Sequence, residues 1–132
     1  MRTLKDVEAY LDKLGRPHDP IDGEPGTFLI RSSGAMPPIA LRVDAPLVLA
    51  RAHIGQVPTE DATTLKLFRK LLELNAKSLV HSSYGLEASR IVLSSALELE
   101  NLDFNELQAT LDEIDLALAQ QVPELLTLIK KN

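Results

Sequence analysis

Three histidines, His18, His53 and His81, are the bases this sequence offers near neutral pH, and Ser82, Ser83, Ser94 and Ser95 are its clustered hydroxyls. Together they raise the question of nucleophilic catalysis, which needs a base within hydrogen-bond reach of the nucleophile and a third group that orients the base. His81 and Ser82 are neighbours on what reads as a strand, so they point to opposite faces. His81 and Ser83 share a face, yet no G-x-S-x-G elbow or equivalent surrounds them. The hydroxyls read as cross-strand hydrogen-bond partners. Six glycines never fall into G-x-G-x-x-G spacing, so no phosphate-cradling loop is expected. Glu98 and Glu100 share a face at a strand exit, where solvation is their ordinary role. Asp19, Asp22 and Glu24 lack the longer series of alternate ligands and the distant bidentate Glu of an EF-hand loop, so no metal is expected. No catalytic residue and no cofactor is expected either, and the chain does not read as an enzyme.

Composition narrows the remaining classes. Nineteen acidic against fourteen basic side chains give a formal net charge of -5, and the basic residues are scattered, so nucleic acid and anionic membranes are disfavoured as partners. Aromatic residues make up only 4 % of the chain, too few for base-stacking platforms. There is no cysteine, which excludes disulfides and thiolate metal sites and fits a reducing compartment. The opening MRTLKDVEAYL is charged throughout, unlike a signal peptide, and no apolar run approaches the roughly 20 residues of a membrane helix. The expected location is the cytoplasm. At 132 residues, one domain spanning 1–132 is expected, with Leu, Ile, Val and Ala as its core.

The elements follow from spacing. Thr3 and Asp6 form a capping-box pair ahead of Leu4, Val7, Leu11 and Leu14, a short amphipathic helix that Gly15 stops. Residues 15–26 hold three prolines and three glycines and read as a loop. Strands are expected over 27–31, 39–43 and 47–54, joined by turns at 32–38 and 44–46 into an antiparallel meander. Pro58, Thr59, Glu60 and Asp61 form a helix start, and the helix that follows runs to about Lys77. It carries Ala62, Leu65, Phe68, Leu72 and Ala76 on one stripe and Leu67, Leu71 and Leu74 on another. So wide an apolar arc must bury two sides, and the simplest second partner is a copy of the same helix. A hairpin over 80–97 and a helix capped by Asp103 and Glu106 follow, with Leu107, Leu111, Ile114 and Leu118 as its stripe and Pro123 as its kink or restart. The fold class is α+β, in the order α-β-β-β-α-β-β-α, an antiparallel sheet packed against helices.

That order, with the segment LFRKLLELNAKSLVHSSYGLEASRIVLSSALELENLDFNEL, resembles the type III secretion chaperone-like superfamily, which includes the CesT (Tir) chaperones and YbjN-like proteins. The residues that carry the resemblance are Leu71-Leu72-Glu73-Leu74-Asn75, the hairpin pieces Tyr84-Gly85-Leu86-Glu87 and Ile91-Val92-Leu93, and the entry into the last helix over 97–103. Residues 47–58, a strand running through Gly55 to a proline, add to it. The resemblance implies a homodimer that binds a non-globular segment of a client or effector protein without ATP. Such binding needs exposed apolar grooves. Leu4, Val7 and Leu11 on the first helix and Phe28, Ile30, Leu41 and Leu49 on the meander are the candidate partner-binding residues, with plain core as the competing reading for the same side chains. Leu67, Leu71 and Leu74 are the candidate dimer interface. The run Gln121-Val122-Pro123-Glu124-Leu125 resembles the YbjN-like branch, for which an interaction or regulatory role without secretion is the alternative.

Overall fold

The structure, a computed structural model, describes residues 2–31 and 36–129. Helix α1 (Leu4–Leu14) opens as its sequence dictates. The Thr3 N–H donates to the Asp6 carboxylate at 2.7 Å, and that bond holds the Asp6 carboxyl below its ordinary range. Gly15 closes the helix in the left-handed conformation, φ 69°.

Six strands form one antiparallel sheet among the described residues: β1 (His18–Pro20), β2 (Thr27–Ile30), β3 (Ile39–Asp44), β4 (Leu47–Gln56), β5 (Ser83–Glu87) and β6 (Arg90–Glu98), in the spatial order β1-β2-β3-β4-β6-β5. The meander β2-β3-β4 is the one expected from alternation, although residues 32–35 of its first turn lie outside the described residues. Strand β1 corrects the expected loop over 15–26. His18, Asp19 and Pro20 have poor strand propensity and are made a strand by pairing with Ile30, Leu29 and Phe28. Gly26 turns the chain into β2 at φ 78°, with its carbonyl accepting from Val43 N–H at 2.8 Å.

Helix α2 (Asp61–Lys77) carries the chain from β4 to the far edge of the sheet, where β5 forms, and the hairpin returns β6 to the gap beside β4. The expected strand start at 80 is also corrected. Val80 and His81 N–H donate to the Glu113 carboxylate instead of a ladder, and β5 begins at Ser83. The long pairing of β4 with β6 has a bulge between His53 and Gly55.

Helix α3 (Phe104–Gln120) starts on the expected capping box: Glu106 N–H donates to Asp103 at 2.7 Å. It stops before Gln121, and α4 (Val122–Ile129) restarts with Pro123 in its first turn, where a missing N–H costs nothing. Period two on the strands turns Phe28, Ile30, Ile39, Leu41, Val48, Ala50, Ala52 and Leu93 to the helices. They bury with Val7 and Leu11 of α1, Leu67 and Leu71 of α2, Leu107, Leu111, Ile114 and Leu118 of α3 and Leu125 of α4, forming one core. Gly55 lets α4 close on β4, since a Cβ there would sit 3.1 Å from the Ile129 Cδ1.

Candidate functional site

His81 lines one depression together with Ser82, Ser83, Ser94 and Ser95, while His18 and His53 lie outside its lining. Ser82 Oγ donates to Glu113 at 3.1 Å and Ser95 Oγ donates to the His81 carbonyl at 2.6 Å, so both hydroxyls serve to hold the segment before β5. His18 Nδ1 meets the Arg16 carbonyl at 2.8 Å and its ring stands edge-on to Phe28. Asp19 is held by Arg31 at 2.8 Å. Among the described residues no group of three His, Asp or Glu could hold a metal ion.

Of the candidate partner-binding residues, Val7, Leu11, Phe28, Ile30 and Leu41 are buried in the core, so their area is already used within this chain. Leu4 and Leu49 are half-buried. Leu4 borders a cavity of about 310 Å³ between α1 and the β1–β2 connection, lined also by Glu8, His18, Ile21 and Phe28. Leu49 lies on the sheet face that bears no helix, in a depression of about 450 Å³ beside Arg51, Ser83, Ser94 and Ala96. There Arg51 pairs with Glu87 across the sheet.

The two stripes of α2 have the reverse disposition of the one expected. Leu67 and Leu71 are buried and Leu74 half-buried, packed where α2 meets β5 and α4. The other stripe faces outward: Leu65 is 70 % and Leu72 68 % exposed, with Phe68 half-buried between them and Ala62 and Ala76 exposed at its ends. It continues onto β5 through Leu86, 52 % exposed. Between helix and strand runs a groove of about 210 Å³ whose accessible surface is almost wholly apolar, lined by Phe68, Leu71, Leu72, Asn75, Tyr84, Gly85 and Leu86. Periodicity showed both stripes but carried no sign of which one β5 and α4 would cover.

Two polar residues fix the groove. The Tyr84 N–H donates to Asn75 Oδ1 at 2.7 Å, and Asn75 Nδ2 donates to the Tyr84 carbonyl at 3.1 Å. The Tyr84 hydroxyl reaches under the sheet to Gln121 Oε1 at 2.7 Å, tying β5 to the break between α3 and α4. Burial pushes that hydroxyl above its ordinary pKa. In the sequence Asn75 and Gln121 stand out only as members of the runs that carry the family resemblance; nothing there assigns either amide a partner.

A helix-backed sheet with apolar surface left on α2 and β5 offers a face on which another protein can pack. The chain belongs to the CesT_Tir_1 family, whose model matches residues 1–131. Curated proteins provide no match. Among solved structures it is similar to a chain of the heterodimeric complex ExoU-SpcU from the type III secretion system of Pseudomonas aeruginosa, with TM-score 0.70 and 19 % identity over 96 % of this chain and 99 % of that one. It is also similar to YbjN from E. coli, with TM-score 0.68 and 13 % identity over 92 % of both chains. The ExsC-ExsE complex provides a further similar chain, TM-score 0.62 and 18 % identity over 98 % of this chain and 97 % of that one. The fold is that of the type III secretion chaperones.

Proposed function

We propose that this chain is a cytoplasmic chaperone of the type III secretion (CesT/Tir) type, which holds a non-globular segment of a client or effector protein without ATP and has no catalytic role. The observation that carries this reading is the family match over residues 1–131. The complexes that contain the similar chains, ExoU-SpcU and ExsC-ExsE, support it.

The working unit in this reading is a homodimer joined through the outward stripe of α2 and Leu86. The stripe is self-complementary. An antiparallel crossing about Phe68 sets Leu65 of one copy on Leu72 of the other. Light scattering should therefore report twice 14.5 kDa, and a monomer at micromolar concentration would refute the dimer.

The client role is tested by affinity capture from the native cell followed by mass spectrometry. One secreted protein co-eluting in stoichiometric amount and bound through its N-terminal segment establishes the chaperone. A regulator in that place, or no partner, favours the second reading, a YbjN-like interaction or regulatory protein. The break between α3 and α4 at Gln121 and Pro123, with the fold match to YbjN, speaks for that second reading.

A further inference from the structure

The edges of the sheet add something that the fold and family do not supply. Strand β5 is the last of its sheet, bonded on one side to β6. In an antiparallel ladder alternate residues turn both backbone groups toward the neighbour or away from it. Tyr84 turns both away from β6, since its N–H and its carbonyl are each bonded to the Asn75 carboxamide, at 2.7 and 3.1 Å. Leu86, two residues on, turns its own backbone groups to the same open side. The Asn75 carboxamide presents an N–H and a C=O to Tyr84 side by side, as one residue of a neighbouring strand would, so it fills the position of one residue of a seventh strand. The chain leading to this edge is closed as well, by Glu113 accepting from Val80 N–H and, at 2.7 Å, from His81 N–H.

The opposite edge is closed by different means. Pro17 accepts from Arg31 N–H and Ile21 N–H donates to Thr27, so the odd residues of this stretch face β2 and His18 and Pro20 face outward. Pro20 places its missing N–H on the open side, where an added strand would need a donor.

We propose that Asn75 is an edge plug, which closes the α2–β5 surface to strand addition and leaves it open only to side-chain packing, so that its occupant is the α2 stripe of a second copy lying across it and not a strand continuing the sheet. The identity of the occupant rests on the dimer reading above; the plug itself does not. Unpaired edges invite open-ended association, and a plug on β5 lets two apolar stripes meet without starting a fibre.

Two measurements test this. In the wild-type protein, amide hydrogen exchange should find Tyr84 at least about tenfold slower than Leu86, because only the first has a bonded partner. A Leu86 amide as slow as that of Tyr84 means a strand is seated on the edge and overturns the proposal. The second measurement is sedimentation velocity over a concentration series for Asn75→Ala, a substitution that raises helix propensity and so leaves α2 formed. The variant should grow past the wild-type size as concentration rises, with increased strand content. An unchanged size distribution overturns the plug. A dimeric wild type that is insensitive to Asn75→Ala refutes the plug and keeps the dimer; a monomeric wild type whose variant associates refutes the dimer and keeps the plug.

Discussion

Leu71 and Leu72 are adjacent on α2, identical in type and opposite in surroundings, and a pair of truncations at these positions tests the orientation of the helix directly. Leu71 is 5 % exposed and Leu72 is 68 % exposed. Leu71→Ala deletes buried methyl groups and leaves a cavity, which costs about 2–5 kcal/mol. Leu72→Ala removes a side chain with only a third of its surface covered. Scaling the about 1.5–3 kcal/mol of a fully buried leucine by that fraction gives about 1 kcal/mol or less. For a chain of 132 residues, the average unfolding entropy makes each kcal/mol worth about 4 °C of Tm. Leu71→Ala should therefore melt about 8–20 °C lower and Leu72→Ala no more than about 4 °C lower, read by circular dichroism at a concentration low enough to leave the chain monomeric. The order should reverse for association. Leu72→Asp places a carboxylate in the proposed dimer contact of both copies and should yield a folded monomer by sedimentation, with melting that no longer depends on concentration. Equal destabilisation by the two alanine variants, or a larger loss at Leu72 in the dilute protein, would refute the assignment of the inward stripe.

Gly26→Ala should destabilise by about 2 kcal/mol or more, because Gly26 has φ 78° and an added Cβ would lie 2.9 Å from the Val43 carbonyl oxygen; urea denaturation with an unchanged m-value is the check. Tyr84 supplies a pH signature. Its folded pKa is raised, so the stability it contributes is complete below the unfolded value near 10 and declines as pH rises through and beyond it. Chemical denaturation at rising alkaline pH should show that decline in the wild type, and a smaller one in Tyr84→Phe, which keeps the ring and loses the proton; parallel curves would contradict it.

The elements that sequence placed well are those made by neighbours along the chain. The Thr3–Asp6 pair and Gly15 bound α1, Asp103 and Glu106 begin α3, Pro123 separates α4, and alternation of apolar residues marks the meander from β2 to β4. Each depends on groups within a few residues of one another, whose preferences survive in any context. The two apolar stripes of α2 were likewise legible in its spacing, and one of them is covered within this chain. What the chain could not state locally was decided by contacts between distant segments. His18, Asp19 and Pro20 become a strand because β2 lies beside them. Strand β6 enters between β4 and β5 because α2 has already carried β5 to the far edge. Leu67 and Leu71 turn inward, and Leu65 and Leu72 outward, because β5 and α4 cover one side of a helix that is apolar on both. Asn75 acquires its role only when Tyr84 arrives opposite it. Periodicity fixes that a helix has two apolar faces; only packing determines which of them is left exposed.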